Sequence, residues 1–283
     1  SDAPNTTART ITVSATDNAN NAGNASTTTL SVSAVNDAPT NGGSLPATIT
    51  VTEDVASNVD ISAITLADLD AGSSSVSVIL SVSAGTLSAT GGGGVTVTNS
   101  GTTAMTLAGT VANLNTFLDT ASNVKYTTAL NAAGNGVATL TVKSNDGGNT
   151  GTGGGTDITF GTVSINSTGV NDAPIITSNG GGATASISLV ENTATVTTVT
   201  ASDADSNTVT YSLTGGADQA KFNINATTGA LTFVTAPSFA TPTDAGTNNV
   251  YDVQVTATDN GTGSLTDVQT IAVTITATPP SSG

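Results

Sequence analysis

Short runs in which apolar and polar residues alternate occupy most of the chain. A period of two residues is typical of β-strands that bury one face, and the runs are separated by Gly, Asn and Asp, which favour turns. Nothing has the strand–helix–strand rhythm of a parallel sheet, so the pattern predicts an all-β fold of antiparallel β-sandwiches. The alternating runs are Ile49/Val51, Val76/Val78/Leu80/Val82, Val95/Val97, Val137/Leu140/Val142, Ile187/Leu189, Val196/Val199, Val209/Tyr211/Leu213, Leu231/Phe233, 250–256 and 268–275.

One segment departs from this alternation. In Val111–Leu118 the apolar residues stand at positions 111, 114, 117 and 118. That spacing places them on one side of an α-helix. We therefore expect a single short helix that closes one end of a sandwich.

An exact repeat marks the boundaries between modules. The residues Val-Asn-Asp-Ala-Pro occur at 35–39 and again at 170–174, each time after an alternating strand. Proline ends strand pairing and keeps the residue before it extended, so both repeats are predicted to be short linkers. The linkers divide the chain into a module at 40–171, which contains the helix, a module at 175–277, and a tail at 278–283.

A second repeat connects the two ends of the chain. The residues at 12–18 match those at 254–260 in type and order, including Asp17 and Asp259. Residues 1–37 are therefore interpreted as the last two strands of a further module. Because two strands cannot bury a core, we expect residue 1 to lie inside a longer chain. The alternative is that this piece completes a sandwich in a neighbouring copy, as in donor-strand assembly.

Charge and composition narrow the possible functions. The chain has 4 Lys and Arg against 20 Asp and Glu, a net charge of −16, so no basic surface for nucleic acid is expected. No apolar run approaches the roughly 20 residues that a membrane helix needs. Cys, His and Trp are absent, which removes thiol and His-dependent catalysis and most transition-metal sites. Paired carboxylates alone do not indicate a glycosidase, so no enzyme is expected, and the carboxylates suit Ca²⁺.

The final module resembles bacterial cadherin domains. The residues that carry the resemblance lie in seven stretches: 188–192 with Glu191, 201–205 with Ala-Ser-Asp-Ala-Asp, 211–213, 222–225, 228–231, 251–253, and 257–261 with Ala-Thr-Asp-Asn-Gly. The middle module resembles the cadherin-like repeats of large bacterial surface adhesins. Its markers are Thr52-Glu53-Asp54, Ala67-Asp68-Leu69-Asp70, Asn113-Leu114-Asn115, Tyr126-Thr127, Asn145-Asp146-Gly147-Gly148 and the Asn-Asp-Ala-Pro linker. The resemblance implies tandem cadherin- or immunoglobulin-like sandwiches that are joined end to end.

The resemblance also implies Ca²⁺ as the only cofactor, bound where modules join. The lower module supplies a Glu and the linker Asn-Asp, and the next module supplies Asp-x-Asp and a later Asp. One predicted ligand set is Glu53, Asn171, Asp172, Asp203, Asp205 and Asp259. The second set is Asn36, Asp37, Asp68, Asp70 and Asp146, with its Glu before residue 1.

The final module departs from the family pattern at its far end. Many related modules carry an acidic triplet where this chain has Ser238-Phe239-Ala240, and the Asn-Asp linker is missing after residue 277. We therefore expect no Ca²⁺ site, or a weak one, beside Glu191. Gly169 also stands where related repeats often have Asp, which predicts lower occupancy at the middle junction.

Three functions stay open at this stage. The leading hypothesis is a Ca²⁺-stiffened stalk of a bacterial surface adhesin, located outside the cell. The others are a self-assembling subunit of a filament, sheath or surface layer, and an accessory region of a secreted enzyme. The expected partners are neighbouring modules or copies of the same chain, with a host or surface ligand bound through other domains. No nucleic acid and no membrane insertion are expected.

Overall fold

The computed structural model describes residues 4–149 and 151–279. The chain divides into two compact units, Ser1–Gly169 and Val170–Gly283. The first unit contains the fragment predicted at 1–37 and nearly all of the module predicted at 40–171. Residues 1–3 of that fragment and residues 280–283 of the predicted tail lie outside the described residues.

The first unit is built from two main sheets. Its strands are β1 (Arg9–Val13), β2 (Ser26–Leu30), β3 (Thr40–Asn41), β4 (Thr48–Thr52), β5 (Ser57–Asn58), β6 (Leu66–Ala67), β7 (Val76–Val82), β8 (Thr86–Ala89), β9 (Thr96–Thr98), β10 (Ala104–Gly109), β11 (Val124–Thr127), β12 (Gly134–Asn145) and β13 (Ile158–Thr168). The larger sheet has the order β4-β13-β12-β7-β10-β9, and the smaller has the order β5-β11-β8. The pairs β1-β2 and β3-β6 stand apart from both sheets.

The core of this unit is formed by the alternating residues of both sheets. Val78 and Leu140 from the larger sheet and Leu87 and Tyr126 from the smaller sheet belong to one buried cluster. The Tyr126 hydroxyl donates a hydrogen bond to the carbonyl of Ala84 at 3.0 Å, which satisfies its one polar atom inside the core. The period-two pattern therefore predicts the buried face of these strands correctly.

The predicted helix is present as α1 (Val111–Leu118). Thr110 caps it, because its hydroxyl accepts a hydrogen bond from the Asn113 amide at 3.2 Å. Its buried residues are Leu114, Phe117 and Leu118. No helix in the described part of the chain combines the length and apolar character that crossing a bilayer requires.

The second unit repeats the two-sheet plan without the α-helix. Its strands are β14 (Ile175–Ile176), β15 (Thr184–Val190), β16 (Thr195–Thr198), β17 (Ala201–Ser202), β18 (Thr210–Gly215), β19 (Phe222–Ile224), β20 (Ala230–Phe233), β21 (Val250–Thr258) and β22 (Thr266–Thr276). The larger sheet has the order β15-β22-β21-β18, and the smaller has the order β16-β20-β19. A short pair, β14-β17, lies at the start of the unit.

Aromatic rings fill one part of the second core. The rings of Phe222 and Phe233 stack with centroids 4.5 Å apart, and Phe233 meets Tyr251 edge to face at 5.2 Å. Such offset and edge-on arrangements are the favoured geometries for aromatic pairs. The Tyr251 hydroxyl accepts a hydrogen bond from the Thr243 amide at 3.0 Å, so this ring also positions the loop before β21.

The predicted all-β class of sandwich units is confirmed, with one feature that alternation did not predict. In each unit the first long strand pairs in parallel with the last one: β4 with β13, and β15 with β22. The other pairs between named strands are antiparallel. Alternation reports which face of a strand is buried, and it carries no information on strand direction.

The hairpin β1-β2 differs from the rest of the first unit in burial. All ten of its strand residues are exposed. The apolar side chains of Ile11, Val13 and Leu30 have exposed fractions of 45%, 64% and 47%. By the repeat noted above, Ile11 and Val13 correspond to Val253 and Val255, which are fully buried in the second unit.

Candidate metal centres

The residues that begin the second unit are held by loops of the same unit. The Asn171 side chain donates a hydrogen bond to Asp259 Oδ2 at 3.0 Å and accepts one from Asn207 Nδ2 at 2.7 Å. The Asp172 amide donates to Asp205 Oδ2 at 2.7 Å. Two separate loops, between β17 and β18 and between β21 and β22, therefore meet around these two residues. We call Asn171, Asp172, Asp203, Asp205 and Asp259 the second linker cluster.

The Asp-x-Asp loop of this cluster is organised by its first carboxylate. Asp203 Oδ1 accepts hydrogen bonds from the amides of Asp205, at 3.0 Å, and Asn207, at 2.9 Å. Its second oxygen, Oδ2, is buried and accepts no hydrogen bond in the part of the chain that the structure describes. A buried carboxylate oxygen without a donor is costly, and a bound cation would relieve that cost.

The last Asp of the cluster is almost fully covered. Asp259 has an exposed fraction of 4%, and its Oδ1 accepts the amides of Gly261 and Leu265. A Cβ atom on Gly261 would lie 1.7 Å from Asn171 Oδ1. Only glycine therefore lets the Asn171 side chain reach Asp259 without displacing a neighbour.

The first unit holds an equivalent cluster, the first linker cluster, made of Asn36, Asp37, Asp68, Asp70 and Asp146. Asn36 Nδ2 donates to Asp146 Oδ2 at 2.6 Å, as Asn171 does to Asp259. The Asp37 amide donates to Asp70 Oδ2 at 3.0 Å, as Asp172 does to Asp205. Two buried oxygens of this cluster, Asn36 Oδ1 and Asp68 Oδ2, have no hydrogen-bond partner among the described residues.

Glycines of the loop between β12 and β13 make room for the first linker. A Cβ atom on Gly154 would lie 2.2 Å from Asn36 Nδ2, and one on Gly151 would lie 2.8 Å from the Ala34 carbonyl. The backbones of Asn36 and Thr152 are joined by a hydrogen bond of 3.3 Å. This Gly-rich loop, which connects the antiparallel strands β12 and β13, packs against the linker.

Two acidic groups of the first cluster have shifted pKa values. Burial, helped by the neighbouring Asp70, raises the pKa of Asp68. Burial also acts to raise the pKa of Asp146, but hydrogen bonds from Asn36, Gly148 and Gly155 outweigh it and lower that pKa. Asp146 is therefore stabilised as an anion by these hydrogen bonds, whereas the two backbone hydrogen bonds that Asp68 accepts, from Asp70 and Ala71, do not outweigh its burial.

Only some of the carboxylate oxygens in each cluster lie close to one another. Asp172 and Asp205 each place one oxygen within 4.8 Å of the other. Within either unit, the described residues hold no three acidic side chains whose oxygens all lie that close together. Glu53, the remaining predicted ligand, is buried directly after β4, and its amide donates to the Thr168 carbonyl at 3.1 Å.

Glu191 has a different environment at the far end of the second unit. Its Oε2 accepts the Phe239 amide at 3.0 Å, and its Oε1 accepts the Thr278 amide at 3.2 Å. These two backbone hydrogen bonds are the main cause of its lowered pKa. The side chain thus ties the loop before β21 and the residues after β22 to β15.

Sequence reasoning missed three residues that shape the clusters. Asn207 binds both Asp203 and Asn171, while Gly261 and Gly154 leave space for the linker asparagines. For Gly261, the available signal was its position shortly after the final Asp, in Asp259-Asn260-Gly261. Its meaning depends on a residue some 90 positions away, which local patterns do not reveal.

Each unit is a two-sheet β-sandwich that holds an oxygen-rich linker cluster. Residues 185–276 match the family model of the cadherin domain. No curated protein matches the sequence. The second unit is thus cadherin-like, as the sequence predicted.

Solved structures of cadherin repeats are also similar to the chain. Mouse cadherin-23 EC22-24 is 20% identical with a TM-score of 0.44, covering 96% of this chain and 74% of that one. Human CDH23 EC21-23 is 13% identical with a TM-score of 0.41, covering 82% and 68%. The protocadherin gammaB7 EC3-6 cis-dimer is 18% identical with a TM-score of 0.40, covering 95% of this chain. The chain spans 58% of the length of that protocadherin.

Cadherin domains are extracellular, non-catalytic modules of the adhesion type, and they generally bind Ca²⁺ at inter-domain sites. The family match covers residues 185–276, so a structural or adhesion-type role is supported for the second unit.

Proposed function

We propose that the chain is an extracellular spacer of a bacterial surface adhesin, in which Ca²⁺ bound by each linker cluster stiffens the chain at that linker. The observation that carries the proposal is the repeated arrangement of the two clusters. In both, the linker Asn binds the last Asp and the amide of the linker Asp binds the Asp-x-Asp loop. Only the arrangement around the linker is shared, since the loops that supply it differ in length and sequence.

The donor chemistry of the clusters suits Ca²⁺. This ion takes six to eight oxygen ligands and tolerates irregular geometry. Asn171, Asp172, Asp203, Asp205 and Asp259 would hold it in the second unit, and Asn36, Asp37, Asp68, Asp70 and Asp146 in the first. The buried oxygens without donors, on Asn36, Asp68 and Asp203, support an ion over a purely hydrogen-bonded loop.

The expected gain is modest for a domain and large for a linker. Extracellular Ca²⁺ modules bind with a Kd of about 10⁻⁴–10⁻³ M. At a tenfold excess of Ca²⁺ over Kd, one site stabilises the state that binds it by about 1.4 kcal/mol. That free energy raises by about tenfold the equilibrium constant for the arrangement in which the linker is fixed to the loops.

Calorimetric titration of the full chain with Ca²⁺ tests the binding sites. Asp203→Asn keeps the shape of the side chain and removes its charge, so we expect it to abolish or strongly weaken one binding event. Asp252→Asn is the control, because it removes the same charge from a strand residue of the same unit. Equal titrations for both variants would contradict the second site. Stiffening is tested by small-angle scattering with and without chelator, and an identical profile in both would refute it.

The exposed hairpin favours assembly by strand sharing as a second candidate function. Ile11 and Val13 are exposed where their repeat equivalents, Val253 and Val255, are fully buried. Strands from another copy would cover this face and give a growing filament, sheath or layer. Sedimentation over a hundredfold range of concentration distinguishes the two. A spacer keeps one sedimentation coefficient, whereas an assembling subunit forms larger species that the substitution Val13→Lys should abolish.

A further inference from the structure

The second unit contains a cavity of about 470 Å³ whose lining includes none of the proposed Ca²⁺ ligands. The cavity lies between the 3₁₀ turn Gln219–Lys221, the end of β20 and the long loop that leads to β21. Phe233 and Tyr251 line its inner side, Ala236 and Pro237 its wall, and Lys221 its rim. The volume falls within the range of pockets that take small organic ligands, about 300–1,000 Å³.

The loop that forms the wall is long and has no regular structure. Residues 234–249 connect β20 to β21 without a helix or strand. Structureless loops longer than about 12–15 residues are uncommon inside compact domains and are usually either functional loops or disordered and linker segments. Two large apolar side chains of this loop are exposed, Val234 at 57% and Phe239 at 42%.

Buried side chains nevertheless hold this loop in one conformation. The Asp244 carboxylate accepts the amides of Asn248 and Asn249 at 2.8 and 3.1 Å, and Asp218 Oδ1 accepts the Ala245 amide at 2.7 Å. Asp218 and Asp244 both have exposed fractions of 4%. The wall itself is held by the Asn192 amide, which donates to the Pro237 carbonyl at 2.8 Å. A ligand would therefore lose little affinity to the ordering of this loop.

The charge at the rim selects the ligand class. Lys221 is the only Lys or Arg in residues 170–283, where nine Asp and Glu are found. Its side chain is exposed, so its ammonium group is available to a ligand. The lining combines aromatic and aliphatic side chains with the hydroxyl-bearing side chains of Thr235, Ser238, Thr241 and Thr243. This mixture favours an amphipathic ligand, and a single cation at the mouth favours one anionic group.

We propose that this cavity binds a small amphipathic carboxylate, with an aromatic or branched apolar body against Phe233 and Pro237 and its carboxylate at Lys221. The proposed site gives the second unit a ligand-binding role in addition to that of a spacer. It lies among residues 219–251, so it does not depend on Ca²⁺ at the linker cluster.

Three matched probes test the site by titration of the ¹⁵N-labelled full chain, followed by NMR. The probes are 4-phenylbutyrate, the neutral 4-phenylbutanol and the cation 4-phenylbutylammonium. Phenylbutyrate has twelve non-hydrogen atoms, and each contributes about 0.3 kcal/mol of binding free energy in an ordinary ligand. We therefore expect it to bind with a Kd of about 2 mM. Its shifts should be confined to residues 219–221 and 233–251. The neutral probe should bind more weakly, and the cation more weakly still.

Two variants separate the charge from the cavity. Lys221→Gln should lower the affinity for phenylbutyrate two- to fivefold, which is the usual contribution of an exposed ion pair. The affinity for phenylbutanol should stay unchanged. Ala220→Phe, on the exposed turn beside the cavity, should reduce binding of all three probes without changing the rest of the spectrum. Equal affinities for the three probes would overturn the proposal, as would shifts scattered over both units or no shift at 10 mM. Phenylbutyrate binding that Ala220→Phe leaves intact would show an adventitious site elsewhere and also overturn it.

Discussion

Replacing Gly261 by alanine should disrupt the second linker cluster without touching a charged group. The added methyl would lie 1.7 Å from Asn171 Oδ1 and 2.7 Å from Asn207 Nδ2. Both contacts are far below the separation of nonbonded atoms, so the Asn171 side chain must move. It then loses its hydrogen bond to Asp259 and the one that it accepts from Asn207.

The size of the effect follows from these two hydrogen bonds. The bond to the carboxylate is charge-assisted and contributes about 1.5–3 kcal/mol, and the bond between the two amides about 0.5–1.5 kcal/mol. Water can replace part of both, because Asn171 is only half-buried. Alanine also stabilises by about 0.4–1 kcal/mol through the unfolded chain. The net cost should be about 2 kcal/mol, which corresponds to a fall in Tm of about 6–10 °C for a unit of this size.

Hydrogen exchange measures this cost in the second unit alone. The slowest amides of β21 and β22 report its free energy of unfolding, separately from the first unit. Gly182→Ala is the matched control, because its methyl would approach nothing closer than 3.8 Å in the same unit. It carries the same unfolded-state effect, so the difference between the variants isolates the clash. If the two variants exchange alike, Asn171 does not hold the cluster together and the reasoning fails.

Three further predictions concern the core, the first linker and the far end of the second unit. Leu140→Ala, at a fully buried position, should cost about 2–5 kcal/mol in urea unfolding, whereas Leu130→Ala, at a position 82% exposed, should change stability by less than about 0.5 kcal/mol. Gly154→Ala should displace Asn36 and lower Ca²⁺ affinity in calorimetry, while Gly153→Ala, which also has a positive φ and whose methyl meets no atom within 4 Å, should not. Glu191 has a lowered pKa in the folded state, so its stabilisation is present above the unfolded pKa of about 4.3 and is lost as the pH falls through the folded-state value. The acid loss of stability should therefore be smaller in Glu191→Gln, and an unchanged pH profile would contradict the hydrogen bonds of Glu191.

The strands and the helix could be predicted because their signals are local. The burial of alternate residues in β7 and β12 follows directly from the polarity of each residue. The helix was recognisable from the spacing of Leu114 and Phe117, and Thr110 provides its cap. The parallel pairing of β15 with β22 joins residues about 86 positions apart, as in Ile187 and Val273. Pairing over such a distance depends on the packing of the whole unit, which alternation does not encode.

The clusters were predictable in composition and less so in geometry. The sequence repeat assigned Asp203 and Asp259 to one site by resemblance, and the structure places both in loops that contact the same short segment, directly or through Asn207. It does not bring their carboxylates into a common group with Asp172 and Asp205. The hydrogen bonds that Asp203 and Asp259 accept from backbone amides, and the one that Asp259 accepts from Asn171, hold each carboxylate to its own surroundings.

These hydrogen bonds mean that the two ends of the second unit should respond differently to the removal of Ca²⁺. At the linker, Asp172 and Asp205 approach each other closely and Asp203 Oδ2 lacks a donor, so this end gains from an ion. At the far end, Glu191 is satisfied by two backbone amides and needs none. In the full chain, a chelator should speed exchange of the Asp172 amide by about tenfold, the factor expected from one weak site. The Phe239 amide, which Glu191 holds, should exchange at the same rate with or without Ca²⁺. Equal acceleration at both amides would mean that Ca²⁺ stabilises the unit as a whole, and that the linker has no special dependence on the ion.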